Sequence, residues 1–204
     1  KPVFLYWGAV WCPPCNQIKA TVFNRQDFID RSSFFVPVYL DGDTQGAQKL
    51  GARFKVRGYP TMILFKPDGT ELTRLPGEVD SSQYMEVLSL GLGATNSVKE
   101  SLAMALEQST PGTASKLSAD SWRMLAYYSW DTDEAQLLPK DELAATLQKL
   151  AQSCPAQYAQ PAARLALKAI AAAAQSKAGI ADKVGALTRL QQTLADPALA
   201  RQNA

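Results

Sequence analysis

The sequence contains no histidine. Its absence excludes Ser-His-Asp and Cys-His catalytic pairs and every histidine-bearing zinc site. Cysteine is scarce too, with three residues in 204, too few for an all-cysteine tetrahedral zinc site. No apolar run approaches the ~18 residues of a membrane-spanning helix. Net charge is also small. The 21 Lys and Arg against 19 Asp and Glu leave +2, which gives no general pull toward nucleic acid or an anionic membrane. The remaining chemistry must run on thiols, carboxylates, amines, phenols or backbone groups. No metal and no cofactor is expected.

What is present is an ordinary globular composition, 47% hydrophobic and 20% charged. The length suits one large domain or two small ones. Composition changes near residue 94. Residues 1–93 hold nine of the 12 glycines, all seven phenylalanines and four alanines, whereas residues 94–204 hold 27 alanines and no phenylalanine. Two units are therefore expected: a mixed α/β unit over 1–93 and an α-helical domain over 94–204. Lys1-Pro2 runs straight into a strand-like stretch with no leader pattern, and the chain stops at Arg201–Ala204 without a cap. The sequence reads as the mature or excised part of a longer protein.

In the first half, Val3–Trp7 is a short continuous apolar run, the pattern of a buried strand. A helix is predicted from Pro13-Pro14, since proline suits a first helical turn, continuing through Ile18 and Val22 toward Phe28. Phe34–Leu40 reads as a strand ended by Asp41-Gly42-Asp43. Gln45–Phe54 reads as a helix and Thr61–Phe65 as a strand. Lys66-Pro-Asp-Gly69 is a turn signal, followed by a strand over Glu71–Leu75 and a helix over Ser81–Leu92. The order is βαβαββα. The second half shows helical spacing at Val98, Leu102 and Leu106, at Leu143, Leu147 and Leu150, and at Val184, Leu187, Leu190 and Leu194. Prolines 111, 139, 155, 161 and 197 mark starts and breaks. About five helices are expected there.

The chemistry centres on Trp11-Cys12-Pro13-Pro14-Cys15, between the first strand and the first helix. Two intervening residues let the thiols close a small disulfide. The first sulfur sits at a helix N-terminus, where the dipole and free N–H groups stabilise thiolate. Thiolate is the nucleophile of disulfide exchange. A zinc ribbon would need a second ligand pair, and the only other thiol is Cys154. A purely structural disulfide would leave the exposed junction position unexplained. Cys154 itself reads as a small buried hydrophobe, with a regulatory thiol or an intermolecular disulfide as the other readings. Trp122, Tyr127, Tyr128 and Trp130 read as helical core, with a partner-binding patch as the alternative.

Trp-Cys-Pro-Pro-Cys, followed by Arg57-Gly58-Tyr59-Pro60-Thr61 and Lys66-Pro-Asp-Gly69, resembles the thioredoxin superfamily. Within it, residues 1–93 are similar to bacterial envelope thioredoxin-like proteins and to the C-terminal domain of the transmembrane disulfide reductase. The resemblance implies an α/β thioredoxin fold with a mixed central sheet, followed here by an all-α domain. It implies that Cys12 attacks, Cys15 resolves and Pro60 is a cis-proline beside the pair. Tyr59 would offer backbone groups to an extended substrate, and Trp11 would flank the thiol. It further implies thiol–disulfide exchange with disulfide-containing protein substrates, a reducing partner such as a membrane electron donor, and a periplasmic or envelope location.

Two departures bear on mechanism. Many thioredoxins carry a buried acid six residues before the first cysteine, and here that residue is Tyr6. Water, Asp41 or Asp43 would have to take the proton of Cys15 instead. Pro13 and Pro14 both lack an N–H, so a Cys12 thiolate loses two local donors and keeps that of Cys15. Less thiolate stabilisation means a more reducing couple, so a reductant or isomerase is expected before a strong oxidase. The reading from another class is a non-catalytic scaffold whose helical domain recruits a partner.

Overall fold

Strands covered on both faces read as unbroken apolar runs, and the two such runs of the first half lie at the centre of the sheet. In the computed structural model of the chain, residues 1–75, 77, 81–107, 116–133, 135–176, 179–180 and 182–203 are described. Pro111 lies outside them. The chain divides into two units, Lys1–Val98 with Thr132–Ala135, and Lys99–Asp131 with Gln136–Ala204.

In the first unit the strands β1 (Val3–Gly8), β2 (Val36–Asp41), β3 (Thr61–Phe65) and β4 (Glu71–Leu75) form a mixed sheet in which β1 and β3 are central and β2 and β4 are edges. β1 runs parallel to β2, with Val3 opposite Val36, and antiparallel to β3, with Phe4 opposite Leu64. β3 and β4 are antiparallel. The predicted turn joins them, with Gly69 at φ +87° donating its N–H to the Lys66 carbonyl. Only glycine takes that conformation without steric cost.

Period-two alternation sends β1 side chains to two different layers. Trp7 is fully buried with Ala47, Ile63 and Phe65, and Val3, Leu5 and Phe54 pack against them. This layer is roofed by α3 (Gln45–Arg53), whose N-cap Thr44 accepts from the Ala47 N–H. On the opposite face Phe4 and Tyr6 meet Phe23, Phe28 and Phe35. That aromatic layer also takes in Tyr84 of α4 (Ser81–Gly93).

The single helix expected from Pro13 toward Phe28 is three pieces. α1 covers Pro13–Ile18, a π-helical turn covers Lys19–Phe23, and α2 covers Gln26–Ser32. The wide turn closes with the Asn24 N–H on the Lys19 carbonyl, and Arg25 is extended before α2. The break brings Phe23 onto Phe28, with ring centroids 4.8 Å apart. A straight helix would sacrifice that stacking. The second strand starts two residues later than expected, at Val36, with Phe34 exposed.

Among the described residues the second half holds six helices rather than five: α5 (Val98–Glu107), α6 (Ala119–Tyr127), α7 (Leu143–Ser153), α8 (Ala159–Gln175), α9 (Lys183–Ala195) and α10 (Pro197–Asn203). Trp122, Tyr128 and Trp130 are core, as is Leu125, whose carbonyl accepts the Trp130 indole N–H at 2.8 Å. Tyr127 is only half-buried, and its ring lies under the Arg164 guanidinium. The α9 stripe departs from the usual rule. Val184, Leu187 and Leu194 are exposed, while Ala186 and Thr193 are buried. Small side chains let α9 lie close to its neighbours, so the bulky stripe is left outside.

Candidate active site: the Cys12–Cys15 pair

β1 ends at Gly8 in the middle of the sheet and α1 starts at Pro13, so residues 9–12 turn over the sheet edge. Cys12 is the N-cap of α1, with β-region backbone, and Pro13 and Pro14 occupy the first helical positions. Neither proline has an N–H to contribute. The donor that reaches the Cys12 sulfur is the Cys15 N–H, at 3.2 Å. Cys12 and Cys15 are joined as a disulfide, with Cα atoms 5.3 Å apart.

Three loops meet here. Gly42, just after β2, is tied to the end of β1 by its N–H on the Gly8 carbonyl. The Tyr59 hydroxyl donates to the Gly42 carbonyl at 2.8 Å. The Tyr59 ring lies so close to Gly42 that a Cβ there would overlap it. The Tyr59–Pro60 peptide bond is cis, and the Tyr59 carbonyl oxygen stands 3.5 Å from the Cys12 sulfur. Gly77 approaches the same loop, since a Cβ on it would sit 3.3 Å from the Pro60 carbonyl oxygen. The Thr61 hydroxyl closes the loop from below by donating to the Gly58 carbonyl.

Trp11 is 64% exposed. Its indole N–H donates to Asp43 at 2.9 Å, and its ring centroid is 6.3 Å from that of Tyr59. Trp11 therefore belongs to the surface around the pair and not to the core. Cys12, Cys15, Trp11, Tyr59 and Pro60 are brought together, with Pro13 and Pro14 between the sulfurs. The junction is exposed at Val10 and Trp11, but the cysteines themselves are covered, Cys12 to within 2%. Gly42 and Gly77 were not read from the sequence as parts of this site, and Asp43 was read there as a proton acceptor and not as the partner of Trp11. In the Asp41-Gly42-Asp43 run, Gly42 signalled only the end of a strand.

The proton acceptors considered for Cys15 fare differently. Asp43 is engaged by Trp11, and Asp41 accepts the Asp43 N–H. Tyr6 is buried between Phe23 and Tyr39, with its hydroxyl against Gly8. Lys19 Nζ stands 5.9 Å from the centre of its ring. The hydroxyl has no hydrogen-bond partner among the described residues. Burial first, and Tyr39 second, push its pKa up to about 12. It therefore remains a neutral phenol at physiological pH and takes no proton. A buried hydroxyl without a partner costs ~1–3 kcal/mol. Tyr6→Phe is expected to raise the unfolding free energy by about 1 kcal/mol and to leave the exchange rate at neutral pH unchanged. Urea unfolding and an insulin-reduction assay check both, and a slower variant would reinstate Tyr6 as a participant.

Cys154 follows α7 and is buried, with its thiol 3.7 Å from the Tyr158 carbonyl oxygen. Burial pushes its pKa up to about 12, so it is protonated and shielded. Iodoacetamide at mildly alkaline pH is expected to spare it in the native protein and to label it once the chain is unfolded. Mass spectrometry of the alkylated peptides reads the outcome.

A family model described as a thioredoxin-like domain matches residues 1–91. A thioredoxin of Mycobacterium tuberculosis is 30% identical over 89 residues, covering 44% of this chain and 72% of that protein. The thiol:disulfide interchange protein DsbD of Pseudomonas fluorescens is 32% identical over 88 residues, which are 41% of this chain and 15% of DsbD. The chain thus spans a small part of the DsbD proteins it matches. Among solved structures, a thioredoxin from Thermus thermophilus has a TM-score of 0.41 at 25% identity, covering 46% of this chain and 78% of that one. A DsbH oxidoreductase has a TM-score of 0.39 at 22% identity, covering 45% and 72%.

Proposed function

This chain belongs to the thioredoxin family, and on that premise we propose that it is a thiol–disulfide oxidoreductase that reduces or isomerises disulfides of protein substrates. The observation that carries this reading is the Cys12–Cys15 pair at the N-terminus of α1, its outer sulfur facing the Tyr59 carbonyl. Cys12, as thiolate, attacks one sulfur of a substrate disulfide. A Cys12–substrate disulfide forms, and the other substrate sulfur leaves as thiolate and takes a proton. Cys15 then loses its proton and attacks the Cys12 sulfur. The Cys12–Cys15 disulfide closes and the second substrate sulfur is expelled. Two electrons have passed to the substrate, and a reducing partner must return two to the pair. A membrane electron donor is the partner we propose, in the bacterial periplasm or envelope.

In this reading Tyr59 presents its backbone to an extended substrate segment beside Pro60, and Trp11 with Val10 forms the apolar rim on which the substrate docks. Residues 1–93 carry the reaction, and the helical residues 94–204 serve another purpose. No proton acceptor for Cys15 is required within the protein, because the departing substrate thiolate and water suffice.

The preference for reduction rests on donor count. With Pro13 and Pro14 silent, a Cys12 thiolate keeps the Cys15 N–H as its local backbone donor, and no imidazolium stands nearby. Each ~30 mV in potential corresponds to about 1.4 kcal/mol, comparable to one charge-assisted hydrogen bond. Equilibration with glutathione, read by alkylation and mass shift, is expected to place the couple nearer the ~−270 mV of thioredoxins than the ~−120 mV of strong oxidases. A value close to the latter would reverse the preferred direction.

A further inference from the structure

The helical unit contains a cleft that the disulfide chemistry does not use. It lies between α7, α8, α9 and α10, has a volume of about 250 Å³, and is lined by Gln148, Gln152, Ala166, Arg189, Gln192 and Leu199 among others. Its polar lining consists of three primary amides, one guanidinium and the Thr193 hydroxyl, which donates to the Arg189 carbonyl, and no acidic residue lines it among the described residues. Its floor is apolar, set by alanines of α8 and by Leu199.

Arg189 is the unusual member. Its Nε is shielded from solvent and has no hydrogen-bond partner among the described residues. Its ion pair with Asp182 is long, 3.7 Å from Nη2 to Oδ2, and that carboxylate is largely exposed. A covered guanidinium N–H left unpaired is costly. The terminal Nη groups remain reachable, since the side chain is 30% exposed, and a carboxylate accepts two parallel hydrogen bonds from that end of the planar fork. The neighbouring glutamine amides can donate to the same oxygens, and the alanine floor suits a short alkyl chain.

We propose that this cleft binds a small aliphatic carboxylate, with the carboxylate on Arg189 and the chain lying over Ala166 and Leu199. The anion meets a guanidinium and amide donors with no opposing carboxylate in the lining. The volume holds a body of a few carbons and is too small for a folded partner.

Titration calorimetry with the full chain tests this using hexanoate and, as its uncharged counterpart, hexanamide. Hexanoate is expected to bind at least about tenfold more tightly than hexanamide. Arg189→Gln should abolish that difference, and Arg189→Lys should restore part of it. Thermal unfolding of each variant verifies that the fold survives. The comparison of the two ligands on the unmodified chain requires no variant. Equal affinity for both, no detectable hexanoate binding, or an undiminished preference in Arg189→Gln would overturn the proposal.

Discussion

Cys12→Ser is expected to reduce dithiothreitol-driven insulin reduction by about a thousandfold or more, to the uncatalysed background. A serine hydroxyl is neither ionised at neutral pH nor able to form the sulfur–sulfur bond on which exchange depends. The loss should be chemical rather than structural. Cys12 is the N-cap of α1, and serine is among the best residues for that position. The closed loop in the native protein is only three residues in separation, so little unfolded-state constraint is lost. Thermal unfolding of reduced wild type and variant should therefore nearly coincide. Cys154 cannot rescue the variant, because it is buried and its pKa is pushed up to about 12.

Cys15→Ser separates the two halves of the reaction. Cys12 can still attack, but nothing resolves the product, so a mixed disulfide with substrate should accumulate and survive non-reducing electrophoresis. Retention of full insulin-reducing activity by Cys12→Ser would refute the enzyme reading and favour the scaffold alternative.

Trp7→Ala carries the second large expected effect, on stability. Trp7 is fully buried between β1 and α3, and its indole N–H donates to the Ala47 carbonyl at 3.2 Å. Truncating a buried tryptophan costs ~3–5 kcal/mol through lost burial and the cavity left behind. Against a total stability of ~5–15 kcal/mol, that is a large fraction. For a unit of this size the melting temperature should fall by more than about 10 °C. Tyr59 packs against the same cluster, so the loop beside Cys12 should loosen with it. The contrast is Trp11→Ala, four residues on. Trp11 is exposed and held by one hydrogen bond to Asp43, worth ~1 kcal/mol at most. That variant should melt close to wild type yet reduce insulin more slowly. Denaturant melts paired with activity measurements on both variants distinguish the two roles.

Most of the first unit was legible because its strongest signals are local. β3 is buried at all five positions, and a run such as Thr61–Phe65 has no other good reading next to a Lys-Pro-Asp-Gly turn. The Cys-Pro-Pro-Cys spacing likewise carries its own chemistry. The break between α1 and α2 was not legible. Lys19–Phe23 has residues compatible with helix, and the π turn is selected by where Phe23 must go to stack on Phe28. The same limit applies to α9, where periodicity revealed a stripe at Val184, Leu187 and Leu194 but not that it would face solvent.

The sequence by itself determined the succession of the four strands, the redox pair and the exclusion of imidazole chemistry, because each depends on residue identity and short spacing. Only the tertiary structure decided what surrounds the pair. Tyr59 rests on Gly42 and Trp11 binds Asp43 across sequence separations of 17 and 32 residues. Tyr6 is sealed in an aromatic layer as a neutral phenol. Such contacts depend on which loops the sheet order brings to one edge, and no local pattern in the chain encodes that.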